Sequence, residues 1–262
     1  MKAKTRKLVA SLISGFMERF LADTVPTDEL EQIEREGVSP SGLLAPFHDA
    51  LVPGIRLLNE RSFSTRLGNL HEKVAEVVAL EAHADARSAF DLAGSIPIVT
   101  REWITQRVEQ LERRQAEPDT EFERRNILGG IGAKIDVSIP DMDLYIRTHS
   151  GEEHFFEMKS PKANKGQCKE MKRQIMTAAA IQQSERARAW WGIPYNPYGL
   201  GSFSHSFALP FFDFEHEVKI GPEFWNFVGG DDGTYEELLE IYREVGETFS
   251  ERLREVRGRL LI

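Results

Sequence analysis

Residues 132–174 read GAKIDVSIPDMDLYIRTHSGEEHFFEMKSPKANKGQCKEMKRQ, and this stretch decides the fold. It contains two short apolar runs, 144–146 and 155–158, on either side of the turn-forming pair Ser150-Gly151. Apolar runs of this length, separated by small turn residues, predict a β-hairpin. The rest of the chain can be placed around that hairpin.

Acidic residues interrupt both predicted strands. Side chains alternate along a strand, so Asp143 shares one face of the first strand with Tyr145, while Glu157 and Lys159 share one face of the second. Pairing about the turn places Asp143 opposite the end of the second strand that carries Glu157 and Lys159. We expect two carboxylates and one ammonium to converge at one edge of the sheet.

Such a cluster is costly to bury unless a cation neutralises its acids, and paired carboxylates suit Mg²⁺. Lys159 can orient or deprotonate a water molecule there, or neutralise charge in the transition state. Asp141 has the same parity as Asp143 and follows Pro140, so it is an alternative ligand. Asp143 directly adjoins the apolar strand and faces the partner carboxylate better. Charged residues on a hairpin rim are otherwise mostly solvated surface.

The spacing of these acids resembles a known motif. Pro140-Asp141-Met142-Asp143 followed by Glu157-Met158-Lys159 resembles the PD-(D/E)xK motif of the restriction-endonuclease-like nuclease superfamily. Three longer strings look like the TdeIII-like type II restriction endonucleases: FEMKSPKANKGQ at 156–167, YNPYG at 195–199 and GPEFWNF at 221–227. The resemblance covers roughly residues 60 to 250. It implies an α/β fold with a mixed β-sheet flanked by helices and a helical N-terminal region.

The resemblance also implies an activity. A type II enzyme of this kind hydrolyses double-stranded DNA at a specific sequence with Mg²⁺, or Mn²⁺ in its place, and leaves 5′-phosphate and 3′-hydroxyl ends. Asp143 and Glu157 would hold the metal, and Lys159 would activate or orient the attacking water. Glu72 lies on a predicted helix ahead of the hairpin and is a further candidate ligand, the alternative being an exposed helical glutamate. A homodimer and a companion DNA methyltransferase are expected partners.

The net charge of −9 is unusual for a protein that binds phosphates. Residues 212–247 hold eleven acids and two bases, whereas residues 158–175 hold six bases and one acid. This basic strip adjoins the predicted site, although basic helix faces are often only solvated. Tyr195 and Asn196 follow a predicted strand, where ligand-contacting loops cluster, but their sequence also suits a plain turn. The predicted DNA-binding residues are Lys162, Asn164, Lys165, Lys169, Lys172, Arg173, Tyr195 and Asn196.

The composition is that of an ordinary globular protein, with 41% hydrophobic and 29% charged residues among 262. The single cysteine, Cys168, excludes an internal disulfide and a cysteine-based zinc site. It fits a reducing compartment, so we expect a cytoplasmic protein. No apolar run reaches the ~18 residues of a membrane span, and the apolar stripe from Leu8 to Leu21 indicates an amphipathic helix.

Two regions are predicted. Residues 1–125 form a mainly helical region that packs on the core, with a helix break near Pro26 and a helix over 101–125. Residues 126–262 form the nuclease core. In the core, a helix over 167–189 lies between two parallel strands, and a long helix ends the chain. The apolar residues of 203–214 suggest another strand.

Two other functions remain open from the sequence. One is a DNA repair or junction-resolving nuclease that carries the same motif. The other is a DNA-binding protein that no longer cuts. The presence of Asp143, Glu157 and Lys159 argues against the second, and the string from Ser160 to Gln167 argues against the first.

Overall fold

A computed structural model describes residues 1–23, 45–52, 60–159, 161–199 and 202–260; for residues 60–64 and 254–260 only the backbone is described. The predicted helix after Pro26 lies outside the described residues. The N-terminal helix is amphipathic as predicted, because Val9, Ile13 and Met17 on one face are fully buried.

Helices and strands are interspersed along the chain, as expected for an α/β protein. The described helices are α1 (Ala3–Asp23), α2 (Pro46–Leu51), α3 (Glu60–Ala82), α4 (Ile98–Glu112), α5 (Thr120–Leu128), α6 (Lys165–Gln182), α7 (Phe214–Glu217), α8 (Pro222–Gly229) and α9 (Thr234–Leu260). The described strands are β1 (Asp85–Pro97), β2 (Lys134–Arg147), β3 (Glu153–Met158), β4 (Ala187–Ile193) and β5 (Val218–Ile220).

One five-stranded mixed sheet organises these elements, in the order β1-β2-β3-β4-β5. The first three strands pair antiparallel, and β3, β4 and β5 pair parallel. Leu144 pairs with Phe156 and Arg147 with Glu153, so the predicted hairpin is confirmed. The predicted strand–helix–strand unit is confirmed as β3, α6 and β4.

Helices cover both faces of the sheet. Leu144, Ile146 and Phe156 point into a core that is completed by α1, α2, α3, α8 and α9. Tyr145 and Phe155 point to the opposite face, where they pack with Ala178 of α6. A third cluster joins α4, α5 and α6. The alternation of the hairpin residues between these cores fixes the faces of Asp143 and Glu157.

The sheet begins earlier than the sequence pattern indicated. The strand β1 lies within the region predicted to be mainly helical, and it pairs with β2 from Asp85↔Arg147 to Pro97↔Lys134. A predicted boundary at residue 125 therefore separates two paired strands. Residues on both sides of position 125 therefore contribute strands to the same sheet.

Two predicted elements take another form. The single helix expected over 101–125 is two helices, and the Asp119 side chain caps α5 by accepting from the Phe122 N–H at 2.8 Å. The strand suggested over 203–214 is wrong: the His205 carbonyl accepts from the Ala208 N–H at 2.9 Å in a turn. Adjacent Phe211 and Phe212 are both buried, which an alternating strand with one exposed face would not allow. No described helix is long and apolar enough to cross a membrane.

Candidate active site

Asp143 and Glu157 lie side by side where β2 and β3 run together. Asp143 is 9% exposed and Glu157 is 3% exposed. The Met158 backbone N–H donates to Asp143 Oδ2 at 2.6 Å, which fixes the aspartate against the end of β3. The two carboxyl groups contact the same ammonium, that of Lys159. The convergence expected from strand parity is therefore present in the structure.

Lys159 bridges the two acids. Its Nζ donates to Asp143 Oδ2 at 2.9 Å and lies 3.0 Å from Glu157 Oε2. Burial alone would lower the pKa of Lys159, but the charges of Glu157 and Asp143 more than offset burial and raise that pKa above its usual value. Lys159 is therefore held as an ammonium, with three N–H donors for two carboxylates.

For Glu157, the charge of Lys159 does not fully offset the effect of burial on the pKa. Burial, followed by the charge of Asp143, raises the pKa of Glu157 to about 7, although Lys159 opposes the shift. One ammonium between two buried acids therefore leaves excess negative character at the site. A positive ligand would relieve that excess.

Glu72 approaches the pair from α3. Its half-buried side chain has its pKa raised to about 7, first by burial and then by the charge of Asp143, while Lys159 and Lys73 oppose the shift. An exposed helical glutamate would not respond to Asp143 in this way. Glu72 thus lies within electrostatic range of Asp143 and Lys159.

Asp141 lies apart from them. It is exposed, its φ is 52°, and its backbone N–H donates to Asp91 Oδ1 at 3.1 Å, beside the irregularity of β1 between Phe90 and Leu92. The local departure from regular pairing carries the Asp141 side chain to the surface. Of the two aspartates, Asp143 is the one that contacts Lys159.

The donor set fits a hard divalent cation, because Asp143, Glu157 and Glu72 offer only carboxylate oxygens. Among the residues that the structure describes, no three His, Cys, Asp or Glu side chains form a compact metal-binding group. The hairpin pair with its raised Glu157 pKa nevertheless fits as the centre of such a site, with Glu72 within electrostatic range of Asp143.

Most residues of the predicted DNA-binding strip lie at the surface, where three of its cations pair with nearby glutamates. Lys169 Nζ lies 2.5 Å from Glu112 Oε2, and Lys165 Nζ lies 3.3 Å from Glu112 Oε1. Arg173 pairs with Glu170 one turn away. Lys162 and Asn164 are exposed, and Asn164 caps α6 in a capping box with Gln167. These cations are accessible, although α4 supplies a carboxylate that the sequence did not indicate.

Lys172 is different, and its predicted DNA contact is wrong for this fold. Its side chain is 0% exposed, and Nζ lies 2.5 Å from Glu123 Oε2 and 2.6 Å from Glu217 Oε1. Arg107 Nε donates to Glu123 Oε1 at 3.0 Å, so two cations and two acids balance. A lysine buried in this way has no donor for a phosphate.

Tyr195 and Asn196 follow the carboxyl end of β4, as expected. Both are half-buried, and Asn196 Oδ1 accepts from the Tyr198 N–H at 3.0 Å, which forms a turn. Tyr195 packs near Phe47, with ring centroids 6.5 Å apart. The two residues thus help to shape a loop at the same end of the sheet as Glu157.

A mixed sheet that joins an aspartate on one strand to a Glu-x-Lys sequence on the next defines a restriction-endonuclease-like nuclease. This class was predicted from the sequence, and it is confirmed. The chain belongs to the HinfI family of type II restriction endonucleases: the family model described as "HinfI: Type II restriction endonuclease, HinfI" matches residues 1–246.

Three curated relatives support the same family along most of the chain. The type II restriction enzyme HgiCII of Herpetosiphon aurantiacus is 35% identical over 256 residues, which cover 92% of this chain and 93% of the relative. HgiBI and HgiEI of the same organism are 34% and 36% identical, over 92% and 89% of this chain and 93% and 87% of the relatives. No solved structure matches significantly.

Proposed function

We propose that this type II restriction endonuclease cuts double-stranded DNA at a specific sequence with Asp143, Glu157 and Lys159 as its catalytic residues. The observation that carries the proposal is the Lys159 ammonium, which lies within 3.0 Å of both buried carboxylates. An ammonium placed between two acids at the carboxyl end of β3 is arranged for hydrolytic chemistry on an anionic phosphate.

Asp143 and Glu157 would hold Mg²⁺, or Mn²⁺ in its place, with Glu72 in support. When bound, the cation would polarise the phosphate and lower the pKa of an attacking water. The Met158 N–H keeps Asp143 in position at 2.6 Å. Asp141 is left out of this set because it is exposed and contacts Asp91 through its backbone.

Lys159 supplies the remaining positive charge. Two of its N–H groups engage the carboxylates, and the third can donate to a water or to a phosphate oxygen. Its raised pKa favours this donor role over proton abstraction. In-line attack by water would leave a 5′-phosphate and a 3′-hydroxyl.

The DNA would extend from this site across the exposed residues that follow β3 and β4. Lys162, Asn164, Lys165, Lys169 and Arg173 would contact phosphates, with Tyr195 and Asn196 at the neighbouring loop. A homodimer would match a symmetric DNA site, since a two-fold protein matches a palindrome. A companion DNA methyltransferase and a cytoplasmic location complete the proposal.

Digestion of plasmid DNA by the purified protein tests the function directly. With Mg²⁺ we expect discrete fragments that DNA ligase can rejoin, because their ends carry 5′-phosphate and 3′-hydroxyl groups. With excess EDTA we expect intact plasmid. Nicking confined to branched or damaged DNA would instead indicate a repair or junction-resolving nuclease. Retarded but uncut DNA would indicate a binding protein.

A further inference from the structure

The chain contains one long stretch without formal charge. Residues 189–212 hold no Asp, Glu, Lys or Arg in 24 positions, although 29% of the whole sequence is charged. It is rich instead in aromatic residues, serine, glycine and proline. In a chain with a net charge of −9, this stretch offers a surface without carboxylates.

Part of this stretch, residues 202–209, is firmly anchored. The Phe203 ring lies 5.8 Å from Trp191 and 5.6 Å from Tyr198 between ring centroids, and Ala208 is 0% exposed. The next residues, Phe211 and Phe212, are buried. The anchors hold segment 202–209 against the core, although it has no strand or helix.

The other side of segment 202–209 faces outward. Ser202, Ser204 and Ser206 are exposed, and they alternate with the anchoring residues. Phe207 is 50% exposed and Leu209 is 48% exposed. The segment thus displays three hydroxyl groups beside two apolar side chains on a fixed backbone.

A hydrogen bond ties the segment to the loop behind the catalytic motif. His205 Nε2 lies 2.6 Å from the carbonyl oxygen of Ala163, four residues after Lys159. Four residues span at most about 14 Å. At ~3.4 Å per base pair, Ala163 therefore lies within about four base pairs of a phosphate bound at Lys159.

This chemistry suits base edges better than phosphates. Hydroxyl groups can also contact phosphates, but segment 202–209 has neither Lys nor Arg, and its two exposed apolar side chains, Phe207 and Leu209, cannot bond to a phosphate. Hydroxyls can bond to either donors or acceptors of bases, and apolar side chains contact the thymine methyl group in the major groove. We propose that segment 202–209 lies in the major groove beside the cleaved bond and sets part of the sequence preference. The proposal rests on the proposed DNA cleavage.

Cleavage of a randomised duplex library tests this assignment. Two variants remove outward groups, Phe207→Ala with Leu209→Ala, and Ser204→Ala with Ser206→Ala. The control is Leu8→Ala, because Leu8 is also 48% exposed but lies on α1, outside the segment. Thermal melting of every variant, with a midpoint near that of the wild type, verifies that the fold is kept.

We expect both double variants to lose discrimination between the preferred site and single-base variants of that site by about 10- to 100-fold at one or more positions. The slope of log affinity against log salt should stay unchanged, because neither double variant removes a cation. The Leu8→Ala control should keep the wild-type preference.

If both double variants kept the wild-type discrimination while the wild-type protein cut DNA, the assignment of segment 202–209 would be overturned and the proposed function would stand. A conversion from dimer to monomer in sedimentation, without altered preference, would overturn it in favour of a self-interface. If the wild-type protein cut no duplex in the library, the proposed function would fail, and this inference would fail with it.

Discussion

At the scale of single residues, the proposed chemistry depends on the position of the Lys159 ammonium. Lys159 is the only cation within hydrogen-bonding distance of Asp143 and Glu157 among the described residues. Burial and the charge of Asp143 raise the pKa values of Glu157 and Glu72 to about 7, so both acids resist losing their protons. Removing the ammonium would therefore leave Asp143 and Glu157 without the cation that they share.

Substitutions of Lys159 separate its two conceivable roles. Lys159→Ala should lower single-turnover cleavage by about 10²-fold or more. Lys159→Arg keeps a permanent charge, since a guanidinium stays protonated, and should retain clearly more activity than Ala. Rates are measured at saturating Mg²⁺ with DNA affinity determined separately.

Equal inactivity of the Arg and Ala variants would indicate that Lys159 transfers a proton. Near-normal cleavage by the Ala variant would exclude both roles and would place the lysine outside the chemistry.

At the scale of elements, α6 shows that one helix can carry two kinds of lysine. Lys169 is exposed enough to pair with Glu112 at the surface, whereas Lys172 lies in the buried cluster with Glu123 and Glu217. That cluster joins α4, α5, α6 and α7, and it holds α6 behind the hairpin. Burial raises the pKa of Glu217, although Lys172 opposes the shift.

The two lysines give a matched pair of variants. Lys172→Met should lower the free energy of unfolding by about 3 to 5 kcal/mol, because two buried acids lose their shared cation. Lys169→Met should cost under about 1 kcal/mol, since it breaks a surface pair. Urea unfolding of both variants measures the difference.

DNA binding should rank the two lysines in the opposite order. Lys169→Met should lower the slope of log affinity against log salt by up to about 0.9, as one phosphate contact is lost. Lys172→Met should leave that slope unchanged.

In the unfolding experiment, equal stability of the two variants would contradict the buried cluster.

The sequence predicted the hairpin and its site because both depend on local rules. Strand parity and a Ser-Gly turn were enough to bring Asp143, Glu157 and Lys159 together. Lys172 was beyond such rules, because its partners Glu123 and Glu217 are 49 and 45 residues away in sequence. Its spacing from Cys168 and Ile175 on the apolar face was the signal that could have indicated burial.

The strand β1 was missed for a related reason. Its sequence, DARSAFDLAGSIP, has no regular apolar alternation, and exposed residues occur along its length. A bulge between Phe90 and Leu92 interrupts its pairing. Its strand conformation is fixed by β2 beside it, which a local pattern does not reveal.

At the scale of the whole molecule, three acids of the acidic region 212–247 pair with a cation away from the proposed site. On α9, Glu237, Glu240 and Glu244 all pair with Arg6 of α1. The relatives align along nearly the whole chain, so the helical N-terminal part belongs to the same family as the hairpin. The proposed catalytic acids are thus held by a sheet whose faces are covered by described helices from both the N-terminal and the C-terminal parts of the chain.

The central claim is that Asp143, and not Asp141, acts with Glu157 at the cleaved bond. Single-turnover cleavage of a plasmid at saturating Mg²⁺ by Asp143→Ala, with Asp141→Ala as the matched control, tests it most directly. We predict no detectable cleavage by Asp143→Ala, with DNA binding kept, and substantial cleavage by Asp141→Ala. Near-normal cleavage by Asp143→Ala, or loss of cleavage only in Asp141→Ala, would contradict the claim.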